Sequence, residues 1–108
     1  MKIFSLIIFL TVSFNIIHAQ DEEKIIFEDC TLKGFPLNGK IQVVDSFPDL
    51  KIQIVESFPD LKVKVVESFP DECGEWKFVD SFPDVKIQFV SSFPDIKIKF
   101  VESFPGKP

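Results

Sequence analysis

Leu50-Lys51-Ile52-Gln53-Ile54-Val55-Glu56-Ser57-Phe58-Pro59-Asp60 is the stretch that decides the fold. Leu50, Ile52 and Ile54 alternate with Lys51 and Gln53, the period-2 pattern of a strand with one buried face. The alternation breaks where Val55 follows Ile54, which predicts a bulge or a position buried on both faces. Phe58-Pro59-Asp60 then turns the chain. Proline fixes its own φ, pushes the residue before it toward extended backbone, and with aspartate suits the centre of a type I turn. It also lacks the N–H that a central ladder needs, so the strand must end there.

The same unit recurs on both sides. Its prolines are Pro48, Pro59, Pro70, Pro83, Pro94 and Pro105, at steps of 11, 11, 13, 11 and 11 residues. The apolar doublet returns as Val43-Val44, Val65-Val66, Phe78-Val79, Phe89-Val90 and Phe100-Val101. A proline at this period excludes long helices, and the reading is all-β: six strand-turn repeats of about 11 residues that bury a core only by packing together. Phe47, Phe58, Phe69, Phe82, Phe93 and Phe104, each preceding a proline, are expected to pack into that core at the corners. The longer step carries Asp71-Glu72-Cys73-Gly74-Glu75-Trp76 and marks a junction between two sets of three repeats. Trp76 is expected to plug the core or the junction.

Ahead of the repeats, Lys2 is followed by a mostly apolar run from Ile3 to Ile17 and by His18-Ala19. This predicts a signal peptide over 1–19, cleaved after Ala19, with 20–38 as an N-terminal segment carrying Cys30 and 39–106 as the repeat domain. The run is shorter than the ~20 residues a bilayer needs, and Ser5, Thr11, Ser13 and Asn15 dilute it. No stable membrane anchor is expected after cleavage. The product is secreted or periplasmic.

Cleavage leaves 11 lysines against 17 acids, a mature net charge of −6, with no arginine. Such a surface argues against nucleic acid, which requires clustered cations. A domain of about 89 residues has a thin core and gains from a staple. Cys30 and Cys73 are the only cysteines, so an exported chain has one intramolecular pairing. Closing that 43-residue loop contributes roughly 4 kcal/mol on the chain-entropy account. Intermolecular pairing and two free thiols are the alternatives.

The repeats resemble the 7(1) septoil knot domain, whose units read Val-Val-Glu-Ser-x-x-x-Asp-x-Lys-Ile with a longer Gly- and Trp-containing unit near the middle. The matching residues are Val-Val-Asp-Ser at 43–46, Val-Glu-Ser at 55–57, 66–68 and 101–103, and Lys-Ile or Lys-Val at 51–52, 62–63, 86–87 and 97–98. Cys73-Gly74-Glu75-Trp76-Lys77-Phe78-Val79 is the long unit, and Ser91-Ser92 departs from the acid-Ser pair. The resemblance spans Gly39 to Gly106. It implies a compact β-domain whose backbone forms a 7(1) torus knot, the second lap of three strands lying beside the first. A narrow β-solenoid, one coil per repeat, is the alternative.

Catalytic chemistry is poorly represented. His18 is the only histidine and falls in the leader, so Ser46, Ser57, Ser68, Ser81, Ser92 and Ser103 lack an imidazole for a Ser-His-Asp site. Two cysteines without a mature histidine make a poor zinc site, and no cofactor is expected. Asp49, Asp60, Asp71, Asp84 and Asp95 suit turn capping, each bonding its own turn, better than calcium. The expected function is that of a non-enzymatic structural or interaction domain, slow to unfold, with a protein or glycan at the cell surface as partner. A calcium- or glycan-dependent binder is the alternative, and a secreted carboxylate hydrolase stands further off.

Overall fold

The computed structural model describes residues 24–108, so the signal peptide and its cleavage site lie outside the described residues. The described chain is all-β, with eight strands. β1 (Thr31–Leu32) and β2 (Phe35–Pro36) form a small antiparallel ribbon. β3 (Gly39–Val43), β4 (Leu50–Ile54), β5 (Leu61–Val65), β6 (Glu75–Phe78), β7 (Val85–Phe89) and β8 (Ile96–Phe100) close a barrel in the order β3-β6-β5-β8-β4-β7. Every pairing in the barrel is parallel.

That order interleaves the two halves of the sequence. Each of β3, β4 and β5 has only β6, β7 or β8 as neighbours, so the edges left open by the first lap are filled by the second. Closure removes the bare edges that an open sheet would carry. The register advances evenly round the ring: Ile41 lies opposite Val85, Ile87 opposite Leu50, Ile52 opposite Ile96, and Ile98 opposite Leu61. Trp76 opposite Gly39 continues the series. An even register makes the six strands equivalent about the barrel axis.

Inward side chains follow the alternation. Ile41, Ile52, Val63, Trp76, Ile87 and Ile98 fill the middle of the barrel and Leu50, Leu61, Val85 and Ile96 the layer nearer the strand starts, all at most 2% exposed. Cys30, Leu32 and Leu37 of the N-terminal segment join this core. Cys30 and Cys73 meet with Cα atoms 5.6 Å apart and their sulfurs at bonding distance, which ties the N-terminal segment to the long unit. Trp76 lies at the centre, as expected for a plug. Its indole Nε1 donates to the Leu37 carbonyl (3.0 Å), and its ring meets Phe78 and Phe100 edge-on.

The connectors explain how the laps interlock. β3 and β4 flank β7, so residues 44–49 must cross it. Val44 N–H donates to the Ile87 carbonyl on one edge of β7, and Asp49 N–H donates to the Lys86 carbonyl on the other (both 2.8 Å). The inner face is filled by Ile87, and outside it the Gln88 amide donates to the Asp45 carbonyl (2.8 Å). The connector therefore arches over the outer face of β7. Equivalent arches run from Val55 to Asp60 over β8, Val79 to Asp84 over β3, and Val90 to Asp95 over β4. The C-terminal tail crosses β5 in the same way, with Gly106 exchanging both backbone bonds with Lys62. The connector from β5 to β6 differs, because it advances by one strand where the others advance by two. Its longer unit shifts the second lap into the gaps of the first.

Two expectations of local structure are corrected. The doublet Val43-Val44 and its copies are neither bulges nor doubly buried. Val43, Ile54 and Val65 sit at the strand ends, 47–48% exposed, and the next residue is the first foot of an arch. The phenylalanines before the prolines are not extended either. The residue before each repeat proline has φ between 52° and 56°, left-handed rather than extended, and the arches that follow this corner are held at both feet by bonds to another strand.

Candidate functional site: the phenylalanine corners

The phenylalanines of the corners are outside the core. Phe47, Phe58, Phe69, Phe82, Phe93 and Phe104 are 80–92% exposed, and among the described residues no phenylalanine belongs to the buried set. The physical reason is the arch. The barrel interior is already filled by the two layers of inward side chains and by the N-terminal segment, and a connector crossing the outer face has no route inward. The proline beside each ring lies half-buried against the barrel while the ring stands away from it.

Each ring is disfavoured twice. An exposed phenylalanine forgoes the gain of burial, and a non-glycine residue in the left-handed region costs about 1–2 kcal/mol. Asparagine or glycine would relieve both. Phe47, Phe58, Phe82 and Phe93 stand on connectors that cross one strand each, and Phe104 on the tail that crosses β5. Phe69, on the irregular connector, is the least exposed and borders an open groove of about 650 Å³ with Asn38, Lys40 and Lys77. A second apolar surface lies at the strand ends, where Val43, Ile54 and Val65 alternate round the mouth with Phe78, Phe89 and Phe100 (37–38% exposed).

The aspartates after the prolines do not bond their own turns, as expected from sequence, but fasten the arches to the other lap. Asp49 Oδ2 accepts from Lys86 N–H, Asp60 from Lys97, Asp84 from Lys40 and Asp95 from Lys51, at 2.7–2.9 Å. The carboxylate takes the place of a carbonyl that the arch has carried away from the ladder. With the aspartate's own N–H, each makes a two-point clamp on one lysine backbone. Asp71 departs: its N–H bonds the Phe69 carbonyl and its own carbonyl receives the Asn38 amide. Glutamines make a further tie, with Gln42 donating to the Asp80 carbonyl and Gln53 to that of Ser91. Lys-Gln alternation carried no sequence signal of these ties, since either residue suits an outer strand face.

Asp95 is the one clamp with an added charge. Burial opposes its ionisation, but a hydrogen bond from Lys33 Nζ (2.7 Å), the Lys51 N–H and the charges of both lysines together hold its carboxyl below the ordinary 3.8. A depressed folded pKa stabilises the fold above the unfolded value, and that contribution is lost as pH falls through the folded value. Asp95→Asn is expected to lower the denaturation midpoint at pH 7 and to flatten its decline below about pH 4. Parallel wild-type and variant curves between pH 5 and 2 would refute this.

Threaded arches, interleaved laps and a long central unit together define the domain. The sequence profile of the 7(1) septoil knot domain matches residues 34–108. The chain belongs to this family. The septoil knot match starts within the ribbon that leads into β3, ahead of the repeats themselves. An uncharacterized protein of Synechocystis sp. is 71% identical over 55 residues, 51% of this chain and 49% of its own length. The chain thus spans about half the length of the curated relative it matches. Among the described residues, no helix is long and apolar enough to cross a membrane.

Proposed function

We propose that this septoil knot is an exported, non-enzymatic interaction domain: a slowly unfolding barrel that presents its phenylalanine corners to a partner. The observation that carries this reading is the set of six exposed rings, each held in a conformation that phenylalanine resists. A scaffold that needed only corners would fill those positions more cheaply. Export is supported by the apolar leader and by the cysteine pair at bonding distance, which suits an oxidising compartment. Slow unfolding is supported by the arches, since each strand they cross must be withdrawn from beneath a connector before the barrel opens.

Two measurements test the proposal. After reduction, the mature protein is expected to unfold with a rate, extrapolated to water, below about 10⁻⁴ s⁻¹; refolding complete within milliseconds would count against an interlocked scaffold. A variant with serine at all six corners should melt no lower than wild type, because the rings contribute little burial. It should also lose retention on whichever surface holds the wild type, among chitin, phospholipid vesicles, immobilised oligolysine and immobilised oligoglutamate. Equal retention of both proteins, or none of either, would overturn the contact role of the corners.

A further inference from the structure

The corners carry more than a ring. Two residues before the phenylalanine stands an acid: Asp45 before Phe47, Glu56 before Phe58, Glu67 before Phe69, Asp80 before Phe82, and Glu102 before Phe104. All five acids are exposed. Among the described residues their carboxylates hold no backbone N–H, unlike the clamps that follow the prolines, and the ion pair there is Lys33–Asp95. The fifth corner has Ser91 in the acid's place, before Phe93.

An exposed aromatic face attracts a cation through its quadrupole, and a neighbouring carboxylate adds to the same field. A lysine or arginine side chain fits both features, laying its methylenes on the ring while its charged head meets the acid. A neutral sugar could stack on the ring and donate hydroxyls to the acid, but it would gain nothing from the acid's net charge. An anionic surface would be repelled by a chain whose acids outnumber its lysines 17 to 12. One exposed cation–π contact contributes only about 0.5–1 kcal/mol. Repetition changes that: several such corners on one barrel gain avidity when the partner repeats its cation along one flexible chain.

We propose that the corners form a multivalent dock for an extended polypeptide segment rich in lysine or arginine. This rests on the reading of the corners as a contact surface, and adds the partner's chemistry.

Titration calorimetry of the mature protein with decalysine, decaglutamate, chitohexaose and phosphatidylcholine vesicles tests it. Decalysine is expected to bind at least tenfold more tightly than decaglutamate, and to weaken as salt rises. Two variants separate ring from charge: leucine at the six corner phenylalanines, and the fivefold change Asp45→Asn, Glu56→Gln, Glu67→Gln, Asp80→Asn and Glu102→Gln. Each, with its circular dichroism unchanged, should lose at least threefold in decalysine affinity. In ring-proton spectra recorded along the titration, Phe93 should move least. Failure of decalysine to bind overturns the dock, as does full affinity in the leucine variant, which would reduce binding to plain charge. If chitohexaose or vesicles bind through the phenylalanines and decalysine does not, the cationic partner falls while the contact role of the corners stands.

Discussion

Trp76→Ala is expected to destabilise the domain by about 3–5 kcal/mol, the range for removing a large buried aromatic. Small domains have about 5–15 kcal/mol in total, so the variant should sit near the edge of folding. Three losses combine. The side chain is 1% exposed, so its removal leaves a cavity in the middle of the barrel. The edges of Phe78 and Phe100 lose the ring they pack against, with centroids now 6.1 and 6.4 Å away. The Leu37 carbonyl loses the indole N–H, although Gly74 N–H still reaches it at 3.2 Å. Trp76→Phe should retain most of the packing and cost about 1–2 kcal/mol, mainly the hydrogen bond. Urea midpoints followed by circular dichroism check both. A Trp76→Ala midpoint within 1 kcal/mol of wild type would mean that the barrel centre is held by the aliphatic layers alone.

The strands, the two sets of three repeats and the buried tryptophan were legible because alternation and repetition act locally. Leu50, Ile52 and their copies face inward as their parity requires. The cysteine pair was legible for a different reason: two thiols leave one internal pairing. The corner phenylalanines were misread because hydrophobicity argues for burial when the available interior volume is unknown. That volume depends on barrel closure and on Leu32 and Leu37 entering the core, which no single repeat encodes. The aspartate clamps were misread for a related reason. Phe-Pro-Asp within one unit looks like a self-contained turn, yet Asp49 binds Lys86, 37 residues away, because the strand beneath the arch belongs to the other lap. Local rules recovered the element and its buried face, and failed wherever a partner came from the second winding. A residue that is apolar, precedes proline and falls outside the alternation in every copy was the available hint that the ring faces water.

Gly74→Ala probes the point where the winding closes. Gly74 has φ +88°, and a Cβ there would stand 2.5 Å from the Lys62 carbonyl oxygen and 2.7 Å from Gly106 N. Those two atoms are bonded to each other at 2.8 Å, and they are one of the bonds that lay the C-terminal tail across β5. The methyl group would collide with backbone on both sides, where no rotamer can yield. Overpacking of about 1–3 kcal/mol and left-handed strain of about 1–2 kcal/mol predict a loss of roughly 2–5 kcal/mol. Gly34→Ala supplies the control, since Gly34 has φ +84° with nothing within 4 Å of its Cβ position, and should lose only the strain. Amide exchange locates the damage: the Lys62 and Gly106 N–H groups should lose protection in Gly74→Ala while Lys51, clamped by Asp95 on another strand, keeps most of its own. Equal destabilisation by the two substitutions would show that conformational strain alone matters at Gly74. The tail crossing would then contribute nothing measurable to closing the barrel, and the interlocked arches would have to be held from the other connectors.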